Sequence, residues 1–216
     1  MHPLLRNAGK DLLQRALLRD RFVWRLAEDA GQLALTFDDG PHPEVTPRLL
    51  DFLAARGARA AFFVIGANAE RHPALMRRIA DEGHTIGNHT HDHLEVVGMD
   101  RDTLALQLDR ARQAIFDASG VDTRLFRPPR GRLDLASLRK LVGLGYCVVH
   151  WSRTYSDYRR DGVEALIGRI EMQPPQSRDI VLMHDNHLDT VVAIEQALPR
   201  WQARGLQLLA RSEEHT

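Results

Sequence analysis

The feature that most constrains this chain is an alternation that begins near residue 32. Short apolar runs at 33–37, 60–65, 85–87, 125–127, 146–151, 180–183 and 207–209 alternate with longer stretches of helical spacing. Those stretches cover 45–56, 73–82, 101–119, 135–144, 162–172 and 189–204. The best defined is 101–119, with Leu104, Leu108, Ala111 and Ile115 on one face and Gly120 after its end. Apolar runs of strand length separated by helices predict an α/β fold, a parallel sheet with helical crossovers. On the pattern alone the sheet is either open and doubly wound or closed into a barrel.

A chain of 216 residues with 44% hydrophobic residues supplies one full-sized core, and nothing divides it by composition or repeat. Residues 31–212 read as the main domain and 1–30 as an N-terminal extension. Within the extension, 3–26 has amphipathic helical spacing, with Leu4, Leu5, Leu12, Leu13, Ala16 and Leu17 among arginines. That helix packs on the domain or lies on an anionic membrane surface. Charges at Arg6, Lys10, Asp11 and Arg15 interrupt any secretion-signal core, and no apolar run reaches membrane-spanning length. The expected location is cytoplasmic, with peripheral membrane contact only in the second of these two placements of the helix. The 29 basic and 29 acidic residues balance, which argues against a nucleic-acid partner. The lone Cys147 sits in an apolar run and reads as a buried strand residue. Oligomeric state leaves no sequence signal.

The polar residues that look chemical stand just after the apolar runs, where parallel α/β barrels build their sites. Asp38 and Asp39 follow the first run in Thr-Phe-Asp-Asp-Gly-Pro. Two carboxylates leaving a buried strand need partners, as catalytic groups or as turn and capping aspartates. After the third run, 89–93 reads His-Thr-His-Asp-His. His89 and His93, four apart, share a face on a helical turn and suit zinc ligation, with His91 pointing elsewhere. Two imidazoles and one carboxylate leave open positions for water and substrate. The loop 126–131, Phe-Arg-Pro-Pro-Arg-Gly, is stiffened by two prolines and suits a backbone N–H aimed at an oxyanion, while Arg127 suits an aspartate partner. The stretch 151–158 mixes Trp151, Tyr158 and hydroxyls with Asp157, which suits a sugar-binding wall or a surface loop. His184, at the end of the sixth run, is placed for general acid work.

Taken in order and spacing, residues 36–40, 89–93, 127–131 and 182–184 resemble the motif set of the polysaccharide deacetylases, the NodB homology domain of carbohydrate esterase family 4. The resemblance implies a distorted (β/α) barrel of about seven strands. It implies a hydrolase that removes an acetyl or formyl group from an amino sugar of a polysaccharide, glycan or lipid-linked saccharide. It gives the metal, zinc or another divalent ion such as cobalt, to Asp39, His89 and His93. Asp38 becomes the base, Arg127 its orienting partner, and His184 the acid, with Asp157 as the candidate partner of His184. Substrate contacts fall to Pro129, Arg130, Leu182, Trp151 and Tyr158, with Leu182 walling the acyl methyl and the Arg130 N–H in the oxyanion hole.

The chain departs from the family at Arg130, where an aromatic residue is frequent, and at Thr154 and Tyr158. A charge at 130 points to an anionic substrate. The departures also motivate an alternative, a catalytically inactive carbohydrate-binding domain of the same fold. A non-haem iron oxygenase would use the same ligand set, but an α/β pattern opposes it.

Overall fold

The computed structural model describes residues 21–27 and 30–208. Among these residues nine strands form one sheet: β1 (Phe22–Val23), β2 (Gln32–Asp38), β3 (Ala61–Val64), β4 (Thr85–Asn88), β5 (Leu125–Phe126), β6 (Cys147–Val149), β7 (Arg153–Thr154), β8 (Ile180–His184) and β9 (Gln207–Leu208). The spatial order is β1-β6-β5-β4-β3-β2-β8-β7, every ladder is parallel, and β9 adds to the start of β2. The two ends of the sheet approach each other where Arg25 bridges to Asp179, and Arg178 donates to the Leu26 carbonyl at 2.9 Å. The fold is a distorted (β/α) barrel.

Among the described residues seven helices carry the crossovers: α1 (Val45–Ala55), α2 (Gly66–Arg71), α3 (Pro73–Asp81), α4 (Arg101–Ser119), α5 (Leu135–Gly143), α6 (Val163–Met172) and α7 (Leu188–Ala203). Local chemistry sets their ends. Asp100 accepts from the Thr103 N–H at 2.9 Å to cap α4, and Gly120 stops it in the left-handed region at φ 76°.

β2 explains how the layers divide. Leu33, Leu35 and Phe37 are fully buried and join Leu49, Leu53, Ile194 and Leu198 between sheet and helices. Burial of each such side chain stabilises by about 1.5–3 kcal/mol. Thr36 and Asp38, on the alternate face, are also buried, but against polar partners inside the barrel. A second cluster of Phe22, Trp24, Leu108, Phe126, Leu141 and Tyr146 fills the β1–β6–β5 side.

Three elements differ from the sequence reading. The helix expected over 3–26 does not extend through its last residues: Phe22–Val23 pair with Val148–Val149 as β1, so the sheet begins before residue 31. Phe22 and Trp24 are buried and alternate with Val23, a period of two hidden behind the helical spacing upstream. The rest of that helix lies outside the described residues. Helix α2 carries no sequence signal. Its first residue, Gly66, packs on α4, where an added Cβ would come within 2.7 Å of the Ala111 Cα. β7 has only two residues and lies in the stretch read as a loop. Among the described residues no helix is long and apolar enough to cross a membrane.

Candidate active site

Parallel register gathers the site. Asp38 pairs with His184 across β2 and β8 and with Phe63 across β2 and β3; Val64 pairs with Asn88, and Asn88 with Phe126. The chain segments that leave these strand ends therefore emerge at one end of the barrel.

Asp39, His89 and His93 form the group that the sequence pattern suggested. Their ligand atoms all lie within 4.8 Å of one another. Asp39 Oδ1 is 3.6 Å from His89 Nε2 and 3.3 Å from His93 Nε2. The donor set fits a divalent ion. His89 Nδ1 lies 2.7 Å from the Arg127 carbonyl, to which it donates, and this leaves the Nε2 lone pair facing Asp39. Burial pushes His89 down to about 3, so its imidazole is neutral and able to ligate. Asp39 (φ 76°) and His93 (φ 56°) both hold left-handed backbone, a strained state that persists where surrounding structure over-determines it. For Asp39 that structure includes Asn68, which donates to its carbonyl at 2.8 Å, and Asn186, which donates to Oδ2 at 3.1 Å. His91 turns away from the group, toward Arg110 at 2.8 Å.

Asp38 lies beside this group. Its Oδ1 accepts from Arg127 Nη1 at 2.8 Å, and its Oδ2 is 3.8 Å from His89 Nε2. Arg127 is fully buried and crosses the barrel interior from the end of β5. It donates to Thr36 Oγ1 and to the Val149 and His150 carbonyls, and its guanidinium lies over Phe63 at 4.1 Å. Burial raises the Asp38 carboxyl above its ordinary range, and the charges of Arg127 and His184 oppose that rise.

His184 is gripped by Asp157. Its Nδ1 is 2.9 Å from Asp157 Oδ1, and its backbone N–H donates to Oδ2 at 2.7 Å. Thr190 donates to the same oxygen at 3.0 Å. Burial alone would lower the imidazole; the Asp157 hydrogen bond and the charges of Asp157, Asp38 and Asp39 outweigh it and raise His184 to about 9. Tyr158, exposed, stands edge-on to the His184 ring at 6.2 Å, and Leu182 is buried one pleat below it.

The glycine of the Asp-Asp-Gly turn has a steric reason. A Cβ at Gly40 would fall 2.2 Å from Asp185 Oδ2. Asp185 is fully buried, accepts from Thr46 at 2.6 Å, and is pushed up to about 7 by burial. Residues 26–149 match the polysaccharide deacetylase family. The chain belongs to that family.

It is 34% identical over 208 residues to a peptidoglycan-N-acetylglucosamine deacetylase of Bacillus cereus, which covers 94% of this chain and 97% of that protein. It is 32% identical over 209 residues to a chitooligosaccharide deacetylase of Sinorhizobium fredii, 90% of this chain and 97% of that one. A solved peptidoglycan N-acetylglucosamine deacetylase, in complex with a naphthyl N-hydroxybenzamide, matches with a TM-score of 0.80 and 28% identity over 87% of this chain and 89% of its own.

The departures from the family pattern acquire a structural context. Arg130 adopts φ 56°, ψ 13° in the turn that Pro129 opens. Its side chain is exposed but not alone: Nη1 donates to Glu95 Oε1 at 2.9 Å, and Arg132 Nε is 3.2 Å from Glu95 Oε2. The charge that pointed to an anionic substrate thus has a carboxylate partner. Trp151 packs against Gly131, where an added Cβ would meet its ring at 2.2 Å, and His150 stacks on it at 4.1 Å. Sequence reasoning missed Asn68, Asn186, Thr190 and Glu95. Thr36 lay inside a recognised motif and was given no role. None of the first four carries a local signal, since each acts on a partner distant in sequence.

Proposed function

We propose that this protein is a divalent-metal-dependent hydrolase that removes an N-acyl group, acetyl above all, from an amino sugar within a glycan. The observation that carries the reading is the buried Asp38–Arg127 pair set against the Asp39–His89–His93 group, with His184 as the register partner of Asp38. Acyl transfer to water requires a base and an acid on either side of one reacting centre, and this arrangement has both. The names of the relatives, peptidoglycan and chitooligosaccharide deacetylases, support amino-sugar glycans as the substrate class.

Asp39, His89 and His93 would hold the ion, with zinc favoured by two imidazoles and one carboxylate, and cobalt as a substitute. When bound, the ion supplies Lewis acidity toward the acyl oxygen and toward water. Asp38 receives the proton of the attacking water at Oδ2, the oxygen that faces the ligand group. Arg127 fixes the carboxyl through Oδ1 and keeps it aimed. The Arg130 N–H, set by its left-handed turn, faces the oxygen on which negative charge develops. His184, its Nδ1 engaged by Asp157, presents Nε2 to the departing nitrogen and gives up its proton there. Carboxylate and free amine are the products. Leu182 walls the acyl methyl, while Pro129, Trp151 and Tyr158 border the sugar.

The test is acetate release from N-acetylated chitooligosaccharides and from peptidoglycan fragments, with zinc added and after chelation. The expected result is release that chelation abolishes, and a loss on the order of 10²–10⁴ in kcat for Asp38→Asn with zinc affinity retained. Sugar binding without acyl release by the zinc-loaded protein would overturn the reading in favour of a carbohydrate-binding domain.

A further inference from the structure

The ligand group does not sit in an isolated pit. A cleft of about 400 Å³ runs from Asp39 and His93 to Arg71 and His72, at the far end of α2. One wall is the turn Pro41-His42-Pro43, and the floor includes Ile65. The prolines and Ile65 offer stiff apolar surface of the kind that accepts the face of a sugar ring.

The polar lining is unusual in its sign. Among the described residues its only carboxylate is Asp39 itself. Every other polar group there is a cation, an amide or an imidazole. Asn68 and Asn186 each spend one N–H on Asp39 and line the cleft beside it. His42 Nδ1 accepts from the Glu44 and Val45 N–H groups at 3.3 Å, which leaves Nε2 as the protonated nitrogen. Arg71 is the decisive residue. It is exposed, its guanidinium donates to the neutral Asn68 Oδ1 at 3.0 Å, and it forms no ion pair among the described residues. Arg130, by contrast, has Glu95. Among the described residues that line this cleft, Arg71 is the only guanidinium, and it has no carboxylate partner.

We propose that this cleft is the subsite for the sugar unit adjoining the N-acylated one, and that Arg71 selects a neighbour bearing a carboxylate. The inference rests on the deacetylase reading above and adds the class of substrate. An N-acyl amino sugar next to a carboxylate-bearing sugar places its acyl group at the ligand group and its anion at Arg71. A planar guanidinium meets a carboxylate with two parallel hydrogen bonds, and the cleft holds no second acid to repel it.

The experiment compares two oligosaccharides that differ only in the neighbour, one with a free carboxylate and one with that carboxylate reduced to the alcohol. Binding of both to the zinc-loaded protein is measured by calorimetry for wild type, Arg71→Ala and Arg71→Lys. Wild type is expected to bind the carboxylate form about tenfold more tightly, Arg71→Ala to bind the two equally, and Arg71→Lys to keep part of the preference. The preference should shrink with added salt. Equal binding of the two by wild type, or a preference that survives Arg71→Ala, overturns the proposal. Acyl release is followed in parallel. An absence of release from either compound counts against the deacetylase reading, while the binding comparison still decides the subsite.

Discussion

Asp38 and His184 are register partners at the C-terminal ends of β2 and β8, and each is held by its own oppositely charged residue, Arg127 and Asp157. The parallel ladder sets their separation, so neither depends on a mobile loop for its place. The two partners act in opposite senses. Arg127 favours the charged carboxylate, which can take a proton, and Asp157 favours the charged imidazole, which can give one. In the proposed reaction, base and acid are thus prepared before substrate arrives.

The Arg127–Asp38 pair is fully buried, which makes one-sided removal costly. Arg127→Met is expected to destabilise the protein by about 3–5 kcal/mol, because Asp38 is left as an uncompensated buried charge. The double variant Arg127→Met, Asp38→Leu should recover much of that loss while remaining inactive. Urea denaturation of the three proteins checks the first statement, and acetate release the second. Equal instability of the single and double variants would show that Arg127 matters for its packing on Phe63 rather than for charge.

The raised value of His184 has a definite consequence with pH. Its folded-state value, about 9, lies above the ordinary 6.5. The stability it contributes is therefore present in full below about pH 6.5 and is lost as pH rises through about 9. Asp157→Asn removes the hydrogen bond and charge that outweigh burial, so the His184 titration and the high-pH fall in kcat/KM should both move to lower pH. An ion at Asp39 opposes that carboxylate's contribution, so the His184 titration lies lower in the loaded protein than in the metal-free one. NMR titration of the His184 ring in metal-free wild type and variant measures the shift directly. An unchanged titration in Asp157→Asn contradicts the account.

Much of this was legible from sequence, and the reasons differ by residue. β2 announces itself because an apolar run ends abruptly in two acids, and α4 because Gly120 closes its periodic face. The triad was legible because His89 and His93 are local to each other. What acts at long range was not. Glu95, on another loop, pairs with both Arg130 and Arg132, a contact that no pattern local to Arg130 announces. β1 and β7, two residues each, are held by pairing with β6 and β8 rather than by their own propensity.

Asn186 reaches Asp39 across the barrel mouth, and its amide aims one carboxylate oxygen so that the other faces both histidines. Asn186→Ala is expected to weaken zinc binding about 10–100-fold with little change in global stability. Competition with a chromophoric chelator gives the affinity, independent of any activity assay. An affinity within twofold of wild type would mean that Asn68 and the left-handed backbone suffice to hold Asp39.

Gly131 offers the sharpest separation of the loop's role from that of the ion. It adopts φ 64°, and an added Cβ would meet the Trp151 ring at 2.2 Å. Gly131→Ala must displace either the turn that carries Arg130 or the indole that braces it, with a stability cost of about 1–3 kcal/mol. His89, His93 and Asp39 stand on other segments, so zinc affinity should hold while kcat falls by roughly 10²–10³, the size of effect seen when one oxyanion donor is lost. The companion variant Gly131→Ala, Trp151→Ala relieves the clash and should restore part of the stability, the left-handed strain of an alanine at φ 64° remaining. If it restores kcat as well, the displaced turn alone caused the loss; if kcat stays low, the indole is itself needed there.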